Sequence, residues 1–202
     1  MKRGWTKSWQ CVRNPIPLFV IFAAGMFAAA GSGTAQIVRK PKRANELALA
    51  GLRPGRDTFA DAQKRLDALL TSAKPDGQGP RTWQEACTGR RLAVEVDDSG
   101  VIQNVDILSG PSAPNCKETQ DPQHARLWTT GRGLRLGDPR EHVLAIYGQP
   151  GSSGPSVKDG RELELLYYAF DWAGSDVPQV MEISCDRATG HVVEILLAFP
   201  SL

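Results

Sequence analysis

The sequence predicts an α+β protein of two tandem units, each a short helical segment followed by a roughly three-stranded antiparallel sheet. Three observations carry that prediction. "GLRPGRDTFADAQKRLDALL" opens at Gly51 and "GLRLGDPREHVLAIYGQPG" at Gly133, so one opening is written twice, 82 residues apart. Each opening runs through a capping residue into an amphipathic helical pattern. Each helix is followed by period-two apolar runs around a glycine-containing turn, the mark of a β-hairpin.

The second unit, residues 133–199, carries the stronger signals. Asp138 suits the N-cap, Pro139 the first helical position, and Glu141 falls three residues after the cap. Val143, Leu144, Ile146 and Tyr147 recur at helical spacing, Gly148 supplies the stop and Pro150 prevents resumption. A helix of about ten residues follows, too short to stand without packing. The aromatic run "LELLYYAFDW", Leu163 to Trp172, predicts a strand. A hairpin comes next: Met181, Ile183 and Cys185 alternate, Thr189 and Gly190 turn the chain, and Val192 to Phe199 return it.

The first unit, residues 48–110, repeats this order with one residue inserted. Asp57 takes the cap, and Phe59, Ala62, Leu66, Leu69 and Leu70 form the apolar stripe that "SAKPDGQGP" ends. "RTWQEAC", Arg81 to Cys87, holds the place of the aromatic strand. Leu92, Val94 and Val96 alternate, the chain turns through Asp97 to Gly100, and Val101, Val105 and Ile107 alternate again. Gly100 and Gly190 are 90 residues apart, so the second unit is about eight residues longer, a gain placed around "AGSDVP". Residues 111–132 read as a linker. A unit of ~65 residues buries little core by itself, so the two are expected to pack side by side.

Residues 1–35 read as a secretory signal: Lys2, Arg3, Lys7 and Arg13, then the apolar run Ile16 to Gly31, then small residues leading to cleavage after Ala35. The run falls short of the ~20 residues that span a bilayer, which favours cleavage over a retained inner-membrane anchor. Removing those four cations from 24 Lys+Arg leaves 20 against 22 Asp+Glu, a balance that excludes a general nucleic-acid role. Residues 36–47, with "RKPKR", read as a basic linker. The chain is thus expected in the periplasm or outside the cell.

Export implies oxidising conditions and a disulfide among Cys87, Cys116 and Cys185. Cys185 aligns with Val96 on the inward hairpin face, as a small buried apolar residue would. Pairing Val96 with Val101 sets residues 87 and 110 opposite each other, and a six-residue return brings Cys116 to Cys87. That bond is expected to be structural, since the pair lacks the Cys-x-x-Cys spacing of a redox site.

No cofactor or metal is expected. His124, His142 and His191 are scattered and read as surface residues. "VDDSG" lacks the remaining ligands of a calcium loop and reads as a hairpin turn. "GRGLRLG" and "GQPGSSG" fit neither phosphate-binding glycine pattern, and Ser152, Ser153 and Ser156 lack the setting of a serine nucleophile. Aromatics are the remaining candidates. Tyr168, Phe170 and Trp172 share one side of their strand, with Trp83 and Trp128 in comparable settings. Either they build the core or they form an exposed strip that anchors a protein partner.

The Gly-x-x-x-Gly approach, the helix ending in Gly-x-Pro and the aromatic strand before a hairpin form a recognisable series, carried by Leu136, Gly137, Val143, Gly148, Pro150, Tyr167 and Tyr168. It resembles the SmpA/OmlA family of small envelope proteins that assist outer-membrane assembly. In its doubled form the chain is similar to the beta-lactamase inhibitor protein family, which the resemblance implies would bind an enzyme across a concave sheet. The lipid-attachment Cys of the envelope lipoproteins is absent, and the first unit lacks the Gly-x-Pro helix end. The expectation is an exported, non-catalytic module binding another envelope or secreted protein, with membrane contact only through a retained anchor. The alternative is an exported enzyme or small-ligand carrier with a site between the units.

Overall fold

The structure, a computed structural model, describes residues 45–73, 80–116, 121–170 and 179–199. Their order is α1 (Phe59–Leu66), β1 (Thr71–Ala73), β2 (Arg81–Gln84), β3 (Arg91–Val96), β4 (Ile102–Leu108), α2 (Pro122–Arg126), α3 (Arg140–Tyr147), β5 (Ser152–Lys158), β6 (Arg161–Phe170), β7 (Gln179–Asp186) and β8 (Val192–Ala198). The strands form one eight-stranded sheet in the order β1-β2-β3-β4-β8-β7-β6-β5, and every neighbouring pair is antiparallel. Mixed α and β structure is therefore as expected, but each half supplies four strands rather than three. The additional strands are the edges: β1 at the foot of the first helix, and β5 in the Ser/Gly/Pro-rich stretch after the second.

Both openings fold alike. Gly55 donates to Ile102 and Gly137 to Val192; Ile102 donates back to Asp57 O and Val192 to Asp138 O; Phe59 donates to Gly100 and Arg140 to Gly190. Asp57 and Asp138 accept from Arg53 N and Arg135 N at 3.0 and 2.9 Å, closing the turn before each helix rather than capping it. The N-caps fall one residue later. Thr58 forms a capping box with Asp61, while Pro139, with no side-chain acceptor, caps nothing. Gly148, at φ 73°, ends α3 as its position predicts.

Each hairpin carries a bulge just before its turn, at Glu95/Val96 and at Ser184/Cys185. The bulge pairs Val96 with Ile102, not Val101, so the first hairpin is offset by one residue from the sequence expectation. Asp97 and Asp186 accept the turn hydrogen bonds, from Ser99 and Val101 in one hairpin and from Ala188 and Thr189 in the other.

The centre of the sheet is the β4–β8 pair, with Val105 opposite Leu197, Asp106 opposite Leu196, and Ile107 opposite Ile195. Adding 90 to Val105 and Ile107 gives Ile195 and Leu197, so the pairing maps onto itself about a local two-fold through Asp106 and Leu196. The helices lie on one side of the sheet. There Ala62, Leu66, Val143 and Tyr147 pack with Trp83, Leu92, Val94, Leu166, Tyr168, Met181 and Ile183 in one core.

Described parts of the two stretches read as linkers contribute to this core. Glu46 is buried, and Leu127, Trp128 and Thr130 are buried within 111–132, where α2 also lies. Glu46 Oε1 accepts from Leu47 N and Ala48 N, and its Oε2 accepts from Arg132 N at 3.1 Å and Tyr147 Oη at 2.6 Å. Burial, then the neighbouring Glu46 charge, pushes the Tyr147 hydroxyl well above its ordinary range. The leader and the cleavage site lie outside the described residues, as does the "AGSDVP" insertion.

Gly55 and Gly137 hold equivalent turns at φ +74° and +88°, but a Cβ on Gly55 would meet the Phe199 ring at 2.6 Å while one on Gly137 would meet open space. Gly137→Ala is expected to cost the strain of a left-handed alanine, about 1–2 kcal/mol, and Gly55→Ala about 2–4 kcal/mol, because the clash adds to it. Urea midpoints read both; equal losses would contradict the packing at Phe199.

Candidate functional site

The disulfide and the free thiol fall where the sequence places them. Cys87 and Cys116 are bonded, with Cα atoms 5.3 Å apart and a sequence separation of 29, and Cys185 is free and buried. Burial pushes the Cys185 thiol up to about 11, which keeps it protonated and unreactive. The aromatic candidates do not form a surface strip. Tyr168, Phe170 and Trp83 are buried in the core, because even-numbered positions of β6 face the helices and Trp83 donates to Asp67 under α1 at 2.7 Å. Tyr168 and Phe170 stack with ring centres 6.2 Å apart, and Tyr147 lies against both. Trp128 is also buried. Trp172 lies outside the described residues.

The histidines do not converge. His142 pairs with Asp138 at 2.9 Å on the surface, and His191 is exposed beside its turn. His124 departs from the surface expectation. It is largely covered, 3.5 Å from the buried Glu85, which also binds the Thr88 hydroxyl. That carboxylate sits between the hydroxyl and the imidazole, so the imidazole cannot take the hydroxyl proton as a catalytic triad requires.

The face that carries no helix among the described residues is the larger feature. Strand alternation places Tyr167, Glu182, Leu196, Asp106, Ala93 and Thr82 in one row across β6, β7, β8, β4, β3 and β2. Leu165, Ser184, Glu194, Leu108, Arg91 and Gln84 form the next row. Tyr167, Leu165, Leu196, Val180 and Leu108 are partly buried apolar side chains there, not part of the core.

This face curls inwards at its β5 edge. Lys158, at the end of β5, binds Glu194 on β8, three strand positions away. In a flat sheet those strands would stand about 14 Å apart, beyond the reach of the two side chains, so the sheet must curl towards this side. The curl brings the Asp159–Gly160 turn over a groove of about 340 Å³ lined by Arg91, Leu108, Arg161, Leu163 and Val193. A neighbouring groove shares Arg91, Leu108, Lys158 and Asp159 and adds Asp106.

Asp106 is the chemically unusual group on this face. Its Oδ1 is buried without a hydrogen-bond partner among the described residues. Burial, then the charge of Glu194, pushes its carboxyl up to about 7, while Lys158 and Arg91 pull the other way. Ser184 holds Glu194 from below at 3.0 Å. Nothing in the sequence distinguishes Asp106 from any other polar strand residue, since its setting requires β8, Glu194 and the curl together. No group of metal-ligating side chains gathers among the described residues.

No protein-family model, no curated protein and no solved structure matches this chain.

Asp106 also sets a pH dependence. Folded, it keeps its proton to about pH 7; unfolded, it loses it near about pH 3.9. Its protonated form is thus favoured in the native state. Stability is full below about pH 4, falls as pH rises to about 7, and levels beyond. Asp106→Asn is expected to match the parent at pH 4 and exceed it by roughly 2–4 kcal/mol at pH 8. Parallel denaturation profiles at the two pH values would contradict this setting for Asp106.

Proposed function

We propose that this chain is an exported, non-catalytic binding module that engages another envelope or secreted protein across the face of its sheet opposite the helices. The observation that carries the reading is the band of partly buried apolar side chains, Leu165, Tyr167, Val180, Leu196 and Leu108, lying across four adjacent strands with no helix or strand of the described residues above them. Such a surface costs solubility unless something covers it, and aromatic and aliphatic groups ringed by charge are the usual composition of a recognition surface. Asp106 supports it: a carboxylate kept at the centre of the face at a cost in stability is better explained by binding than by folding.

The matched openings, bulges and central register support an origin by duplication of one helix-plus-hairpin unit, now fused edge to edge. That architecture keeps the resemblance to the SmpA/OmlA and beta-lactamase inhibitor protein families as the best reading of its kind. Export is supported by the Cys87–Cys116 bond, which suits an oxidising compartment, and among the described residues no helix is long and apolar enough to cross a membrane.

A second reading has its own observation. Asp106, Glu194 and Lys158 meet where the halves join, which is where a small ligand or substrate would sit between the units. The grooves there are open and shallow in build, shared between strands rather than enclosed, which favours the protein partner.

Site-specific photo-crosslinking in the native cell separates the two. A crosslinker at Tyr167 or Leu196 is expected to trap one protein of defined mass, while the same group at Ala60 or Ala145 on the exposed helix surfaces traps none. Equal trapping from both sides, or none from the face, would contradict the reading.

A further inference from the structure

The groove beneath the β5–β6 turn has a composition that selects among partners. Its floor is apolar: Leu108, Leu163 and Val193. Its rim carries three cations, Arg91, Lys158 and Arg161, against one carboxylate, Asp159. Two of those cations are already engaged, Lys158 with Glu194 and Arg161 with Asp186 at 3.1 Å. Among the described residues, the Arg91 guanidinium has no such ion pair. It stands exposed on β3, beside Leu108 in its row.

Resting on the protein-binding reading above, we propose that this groove receives a segment of the partner protein that carries an acidic side chain next to a large aliphatic one. The carboxylate meets the Arg91 fork, a planar donor set that suits a two-oxygen acceptor. The aliphatic side chain lies on Leu108, Leu163 and Val193. A basic segment is disfavoured at the rim by Arg91 and Arg161. A purely apolar segment leaves Arg91 partly desolvated without an acceptor. The Lys158–Glu194 contact holds the turn over the groove and so fixes its far wall.

The test uses three blocked hexapeptides that differ only at the middle of a Leu-x-Leu centre: Glu, Gln or Lys. Each is titrated into the full, disulfide-bonded chain and followed by NMR at the methyls of Leu108, Leu163 and Val193. The Glu peptide is expected to bind about fivefold more tightly than the Gln peptide, the size of one surface ion pair, and the Lys peptide more weakly still. Arg91→Glu should invert the order and Arg91→Lys should keep it, with the fold checked by the same spectra. Equal affinities, a preference for Lys, or no binding by any peptide at its solubility limit would overturn the proposal. Crosslinks from Tyr167 and Leu196 that survive Arg91→Glu would also overturn it while leaving the protein-binding reading intact.

Discussion

The antiparallel pairing of β4 with β8 is the constraint on which the rest of the structure depends. Each half ends in a strand whose outer edge would otherwise be open, and an open edge is a site of unwanted association. Pairing the two last strands closes both edges at once. It also merges two small apolar faces into one core, because Val105, Ile107, Ile195 and Leu197 meet there on the helix side. The same pairing leaves Asp106 and Leu196 facing the other way at the local two-fold. The open face at this join is thus built from strands of both halves.

A second tie locks the halves together on the helix side. Glu46 stands ahead of the first half, yet it accepts hydrogen bonds from Arg132 N, at the entry to the second, and from Tyr147 Oη within it. Thr130 shares the Tyr147 hydroxyl at 2.8 Å and accepts from Leu134 N. A buried carboxylate costs heavily in desolvation, and it persists where donors surround it. Helices, sheet centre and entry segment are all tied together on the side away from the open face.

What the sequence could disclose divides along a physical line. The repeated openings were legible because local rules govern them: positive-φ glycines, a closing Asp, an apolar stripe and a glycine stop at Gly148. The two hairpins were legible for the same reason. The N-caps were misassigned by one residue because Asp57 and Asp138 serve the preceding turn, a choice that hydrogen-bond geometry makes and composition does not. Strand β5 was missed because "SSGPSVK" has little strand character, although the Asp159–Gly160 pair after it is a strong hairpin signal. The candidate face was illegible in principle. Whether Tyr168 or Tyr167 faces outward follows from where the helices pack, and the setting of Asp106 arises only when β8 lies beside β4.

The most direct test of the central claim needs no knowledge of the partner. Single cysteines are placed at Tyr167 and Leu196 on the open face and at Ala145 on α3, with Cys185 left buried. Each is labelled with a membrane-impermeant maleimide in intact cells and again in the purified chain. The account predicts that all three react in the purified chain, but that in cells Ala145→Cys reacts while Tyr167→Cys and Leu196→Cys are protected. Equal labelling of all three in cells would mean the face stands empty there, and the claim that it is a binding surface would fail.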